Sequence, residues 1–228
     1  MVDMDVMIKA EEVNKEYRRE GAIIRALIDI NLEIKEGKFV IIQGPTACGK
    51  STLLNVLSGL DLPDSGKVIL DGENISRSTE DRLARIRRRK IGFVFQDFNL
   101  INNLTAIENV ESTLWPTVLR NKEIENRAIA ALRDVDLLER KDHFPVQMSG
   151  GEKQRAAIAR AIVHRPRVIL ADEPTGNLDP DSETMIMNLL KKLNKDYDTT
   201  MIVVSHRDLA KYGDILIKMD KGRIISIK

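Results

Sequence analysis

Apolar residues are grouped unevenly along the chain, and the grouping changes character three times. Near the start they alternate with polar ones. Val6, Ile8 and Ala10, then Ile30, Leu32 and Ile34 interleaved with Asp29, Asn31 and Glu33, read as strands framing a polar turn around Arg18, Glu20 and Gly21. Lys35, Glu36 and Gly37 make a turn, after which Phe39, Val40, Ile41 and Ile42 form a short apolar run of buried-strand type. That run enters a glycine-bearing loop and a helix over 51–60, followed by a turn at 62–66 and a strand over 67–70. The middle, 98–162, is helix-rich, with Ile124, Ala128, Ala131 and Leu132 near helical spacing. Strand–helix alternation then returns. The runs 168–171 and 201–204 are continuously apolar, as in strands covered on both faces. Between them Ile186, Leu189, Leu190 and Leu193 mark one face of a helix, with Asp179 as N-cap and Pro180 in the first turn. Strands at 215–218 and 223–227 close the chain. A parallel α/β core interrupted by a helical insertion is the simplest account, and there is no internal repeat.

Composition narrows the classes. The 228 residues carry 36 Lys+Arg against 35 Asp+Glu, so no global field draws the chain to nucleic acid or to an acidic membrane. A single cysteine, Cys48, rules out an intrachain disulfide and fits a reducing compartment. No apolar run approaches the ~18 residues of a membrane span. Met1, Val2, Asp3 and Met4 lack the basic start of a signal peptide, so the chain is expected to stay inside the cell. Any membrane-spanning part then belongs to another polypeptide.

The loop after the first buried strand carries the first chemical signal. Gly44, Pro45, Thr46, Ala47, Cys48, Gly49, Lys50, Ser51 and Thr52 fit G-x-x-x-x-G-K-[ST] between a predicted strand and a predicted helix. Backbone N–H groups there face a phosphate chain, and the helix dipole favours negative charge. Lys50 adds a full positive charge for the β and γ phosphates, and the Ser51 hydroxyl is a Mg²⁺ ligand. Ala47 stands where glycine is common, so its backbone must keep φ negative or accept strain. Cys48, at a helix start beside Lys50, sits where a thiol pKa is lowered, but it reads first as a small residue filling the loop rather than as a redox group, with alkylation that a bound nucleotide would block as a further expectation.

Two further segments complete the pattern. The apolar run 168–171 ends in Asp172 and Glu173, an acid pair at a strand's C-terminal end. Asp172 is placed to hold Mg²⁺ and Glu173 to act as general base toward a water. In Met148, Ser149, Gly150, Gly151 and Glu152, serine and glutamate have capping-box spacing ahead of a helix. Each glycine in that first turn costs about 1 kcal/mol relative to alanine. Bare amides make sense if a ligand's phosphate approaches them.

The segment at 148–155 resembles the signature motif of the ABC ATPases, and the other elements of that family follow in order. On that resemblance Tyr17 matches the aromatic residue that stacks on adenine. Gln96 matches the glutamine loop that senses Mg²⁺ and the transport partner. Asn177, Leu178 and Asp179 match the D-loop, and His206 the switch histidine that contacts the γ-phosphate. Ala47, Met148 and Glu152 are slight departures. The runs 91–100 and 173–179 resemble the lipoprotein-release, macrolide-export and cell-division (FtsE-like) members. The implied fold is a P-loop NTPase (RecA-like) core with an N-terminal antiparallel β subdomain and a helical insertion. It forms a single ABC ATPase domain in which 1–96 and 165–228 flank a helical subdomain at 97–164.

The resemblance also implies a mechanism. Two copies pair with C2 symmetry, and each ATP, with Mg²⁺, lies between the phosphate loop of one and Ser149, Gly150, Gly151 and Glu152 of the other. The cofactors are therefore ATP and Mg²⁺. The partners are a homodimer in the ATP state and an integral membrane permease, reached through 97–115 at the cytoplasmic face of the membrane, with no nucleic acid. An FtsE-like switch that regulates a membrane partner without moving cargo is the alternative. A GTPase is excluded, because Asn194, Lys195, Asp196 and Tyr197 end in tyrosine where the guanine motif needs aspartate. The basic run of Arg82, Arg85, Arg87, Arg88, Arg89 and Lys90 reads as a solvated helix face. Arg155 and Arg160 read as helix-surface pairs, and His143 and His164 as surface residues. Trp115 is core or partner contact.

Overall fold

The computed structural model describes residues 5–19 and 21–228; the reading of the N-terminus from Met1 to Met4, and Glu20 in the first turn, lie outside the described residues. The chain divides into two compact units, one running to Arg87 and resuming at Thr200, the other Arg88–Thr199. In chain order the strands are β1 (Val6–Arg19), β2 (Ala22–Lys35), β3 (Phe39–Gln43), β4 (Ser65–Leu70), β5 (Glu73–Asn74), β6 (Ile91–Val94), β7 (Val168–Asp172), β8 (Thr200–Ser205), β9 (Ile215–Asp220) and β10 (Arg223–Ile227). The helices are α1 (Lys50–Ser58), α2 (Glu80–Lys90), α3 (Ala106–Glu111), α4 (Asn121–Asp134), α5 (Gly150–Ile162) and α6 (Pro180–Tyr197).

In the first unit β1 and β2 form an antiparallel hairpin from Val6↔Lys35 to Arg19↔Ala22. It is longer than the alternation predicts. β1 pairs with β2 on one side and β4 on the other, so its backbone is satisfied even where its side chains are polar. Bulges take up the irregular stretch, with Glu12 and Asp29 in left-handed conformations (φ 50° and 51°). Met7, Ile8, Val13, Leu27, Ile30 and Ile34 are buried.

β3 lies between two parallel partners, β8 (Ile41↔Val203) and β9 (Ile41↔Leu216), and β10 pairs antiparallel with β9. Every residue from Phe39 to Ile42 is fully buried, which is why that run shows no alternation. A strand covered on both faces gives a rigid base for the loop that leaves its C-terminal end.

In the second unit β6 and β7 pair in parallel (Gly92↔Ile169), while α3, α4 and α5 pack on one another. α3 opens with a full capping box between Thr105 and Glu108. On α6, Asp179 caps the helix by accepting from the Asp181 and Ser182 amides. Its buried face is Ile186, Met187, Leu190 and Leu193; Leu189 lies at the edge of that face and is only half-buried. No helix among the described residues is long and apolar enough to cross a membrane.

Candidate functional site

The glycine-bearing loop is built by close contacts with backbone on its flanks. Gly49 caps α1 at φ 105°, and a Cβ there would come 2.4 Å from the Ala26 carbonyl. At Gly44 a Cβ would meet the Met219 carbonyl at 2.3 Å, so both positions require glycine. Ala47 takes the strained alternative the sequence left open, with φ 62°. The Gly222 amide donates to the Cys48 carbonyl (2.9 Å), tying the loop to the β9–β10 turn. Lys50 is buried and folds back to donate from Nζ to the Gly44 (2.9 Å) and Pro45 (3.0 Å) carbonyls. Its ammonium is thus held at the mouth of the loop.

Two cavities flank the loop inside the first unit. One, about 370 Å³, is lined by Tyr17, Ile24 and Ala26 together with Ala47, Cys48, Gly49, Lys50, Ser51 and Thr52, and with Lys221 and Gly222 at its edge. Tyr17 is 38% exposed and lines the same cavity as the loop. The other, about 390 Å³, brings exposed His206 together with Gln43, Gly44 and Pro45. Ile24, Arg25, Lys218 and Lys221 also reach these cavities; no local sequence signal marks them, because strand pairing alone brings them to the loop.

In the second unit β7 ends at Asp172, and Glu173 follows in a left-handed conformation (φ 46°). The Glu173 carbonyl accepts from the Gly176 amide (2.9 Å), closing a turn. Gln96 donates from Nε2 to Asn177 Oδ1 (3.3 Å), and Asn177 Nδ2 donates to the Gln96 carbonyl (3.2 Å) and Asp97 Oδ1 (3.0 Å). Gln96, Asp97 and Asn177 are therefore one hydrogen-bonded cluster.

The capping box at α5 forms as its spacing predicts. The Glu152 amide donates to Ser149 Oγ (3.3 Å), and the Ser149 amide donates to Glu152 Oε2 (2.8 Å). The Ser149 amide, with Arg140 nearby, holds the Glu152 carboxyl below its usual pKa. Ser149 and Gly150 are exposed. A Cβ on Gly151 would touch only Ser182, at 3.6 Å, and one on Gly150 only the flexible Leu178 Cδ2, at 3.3 Å. Packing therefore does not demand glycine at Gly151.

Three expectations are corrected. Cys48 is buried, and burial pushes its thiol pKa up against the opposing pull of Lys50, so it is not an activated thiol. Arg160 makes no helix-surface pair; from α5 it donates to the Phe98 carbonyl (2.8 Å) and to that of Asn99, two consecutive left-handed residues (φ 61° and 49°). His164 is largely removed from solvent, its Nε2 meeting the Ile91 carbonyl at 3.1 Å, and burial lowers its pKa. The basic run on α2 is partly structural, since Arg87 donates to the Gly59 carbonyl (2.6 Å) and Arg88 to that of Pro116 (3.0 Å). Trp115 is 53% exposed and so is not core.

Comparison with known proteins identifies the family. The profile of the family described as "ABC transporter" matches residues 27–176. The chain belongs to the ABC transporter family. The uncharacterized ABC transporter ATP-binding protein MJ0796 of Methanocaldococcus jannaschii is 47% identical over 223 residues, covering 96% of this chain and 95% of its own. A structure of that cassette, a dimer in a post-hydrolysis state bound to ADP and Pi, superposes with a TM-score of 0.90 at 44% identity over 97% of this chain and 98% of its own. The macrolide export ATP-binding/permease protein MacB of Brucella melitensis is 42% identical over 96% of this chain but only 34% of its own length.

As an ABC ATPase, the chain has the P-loop NTPase core with an antiparallel β subdomain that its sequence predicts. The first unit of this ABC cassette gathers the phosphate loop, Tyr17 and His206; the second gathers Gln96, the D-loop and Glu173, and carries the capped start of α5.

Proposed function

We propose that this cassette binds Mg-ATP between two copies arranged head to tail and hydrolyses it to drive a membrane permease. The observation that carries the reading is the start of α5: its first turn keeps a glycine that packing does not require, in a chain that already has a complete phosphate loop. One triphosphate accounts for both, held by residues 44–52 of one copy and by Ser149, Gly150 and Gly151 of the other, with Glu152 locking the turn. Lys50 neutralises the β and γ phosphates, Tyr17 stacks on the base, Glu173 is general base to the attacking water, and His206 contacts the γ-phosphate. Ser51, Gln96 and Asp172 offer hydroxyl, amide and carboxylate oxygens, a hard donor set that suits Mg²⁺ shared with phosphate. Bound there, the ion neutralises charge on the phosphoryl oxygens.

Residues 97–164 form the helical subdomain of the single ABC ATPase domain, and 1–96 with 165–228 its β subdomain and RecA-like core. The permease is felt through 97–115, which places the cassette peripherally at the cytoplasmic face of the membrane. The similarity to MacB, an ATP-binding/permease protein for macrolide export, and the dimeric state of the MJ0796 cassette support this reading. ATP favours the pair only through its greater affinity for the closed dimer, so hydrolysis releases it.

Size-exclusion chromatography with light scattering tests the reading. Glu173→Gln should abolish turnover and keep ATP binding, giving a dimer only when ATP is present. Ser149→Arg should block that dimer while monomer nucleotide binding stays intact. A Ser149→Arg chain that hydrolyses ATP normally as a monomer refutes the shared site.

A further inference from the structure

Tyr17 is not a free side chain on the hairpin. Its hydroxyl donates to Asp61 Oδ2 (2.7 Å). Asp61 lies three residues beyond the end of α1, so the turn that closes the phosphate-loop helix holds the phenol. Lys15, 8% exposed, donates from Nζ to Asp61 Oδ1 (2.7 Å) and the Leu62 carbonyl (2.7 Å), and it sits 5.3 Å from the centre of the Tyr17 ring. One face of the ring is thereby occupied by an ammonium while the residue lines the cavity shared with the phosphate loop. The turn itself is fixed: the Leu60 and Asp61 amides donate to the Asn55 carbonyl, and the Asp64 amide to that of Asn14.

We propose that Asp61, braced by Lys15, is a positioning residue for nucleotide binding, setting the Tyr17 ring at a fixed distance from the phosphate loop so that a nucleotide's base stacks on the face away from Lys15. The inference rests on Tyr17 being the base platform. A ring held by its hydroxyl and backed by a cation loses little freedom when a base arrives, so more of the stacking energy appears as affinity. Inorganic tripolyphosphate engages the phosphate loop but offers nothing to stack, so it should not sense Asp61.

Titration calorimetry on the full chain with ATP and with tripolyphosphate, each with Mg²⁺, provides the test. Asp61→Ala and Tyr17→Phe should each raise the Kd for ATP about fivefold, the lower end of what base–aromatic stacking is worth, and leave tripolyphosphate unchanged. In turnover assays KM for ATP should rise while kcat at saturation holds. Asp61→Asn, which keeps an acceptor for the hydroxyl, should recover most of the loss. Equal weakening of both ligands, or unaltered ATP affinity in Asp61→Ala, overturns the positioning role. If Tyr17→Ala itself leaves ATP affinity unchanged, the base platform is misassigned and the proposal falls with it. An effect of Tyr17→Ala without one of Asp61→Ala sinks the proposal alone.

Discussion

Gly151→Ala should stabilise the fold and damage the ATP cycle at once. In a helix alanine is favoured over glycine by about 1 kcal/mol, and the first turn realises part of that, so about 0.5–1 kcal/mol is expected. Nothing in the packing opposes it. The added Cβ meets the Ser182 hydroxyl oxygen at 3.6 Å and the Ser182 Cβ at 3.9 Å, ordinary contact distances. For a chain of this size such a gain raises the Tm by about 1–4 °C. In the proposed shared site the same methyl would stand among the amides offered to a γ-phosphate from the facing copy, where a shift of even ~1 Å in approach is expensive. Thermal unfolding of the nucleotide-free chain, read beside ATP-dependent dimerisation in the Glu173→Gln background, separates the two effects. A lower Tm would mean that the fold itself needs the glycine. Undiminished dimerisation would mean that no ligand approaches it. Either result removes the physical basis for the shared site.

Two other perturbations probe supports away from the phosphates. Arg160→Ala deletes charge-assisted bonds to the Phe98 and Asn99 carbonyls, and after allowing for the cost of burying the guanidinium it should lower stability by about 2 kcal/mol in urea unfolding. Asn99→Gly relieves the left-handed strain and should recover part of the loss in the double variant; an Arg160→Ala chain of wild-type stability refutes the clamp. His164 has a folded pKa below its ordinary 6.5, so the native state binds the proton more weakly than the unfolded state. Its contribution is intact above that value and declines as the pH falls through it toward the folded pKa. His164→Gln should flatten the drop in urea midpoint between neutral and mildly acid pH, and an unchanged slope would place the histidine in solvent.

The phosphate loop and the parallel strands that carry it were legible because their signals are contiguous. A fully apolar run at Phe39 to Ile42 announces a strand with two covered faces, and the glycines at 44 and 49 mark backbone approaches that exclude a Cβ. The acid pair at the end of β7 and the capped start of α5 are equally local. The misreadings share one cause. Cys48 sits beside a lysine at a helix start, which by sequence lowers a thiol pKa, but the folded loop buries it and desolvation dominates. Arg160 has helix-surface spacing, yet its guanidinium is used 61 positions away in sequence.

What the chain fixes by itself is which short segments carry the groups that the proposed phosphate, metal and base chemistry needs, since backbone amides, a lysine and paired carboxylates need only a few neighbouring residues to be placed. The tertiary structure alone decides which distant groups tune them: Asp61 and Lys15 behind Tyr17, Lys221 and Gly222 beside the loop, Gln96 against Asn177. Those depend on strand register and on which surfaces lose water, and both are set by contacts between residues far apart in the chain.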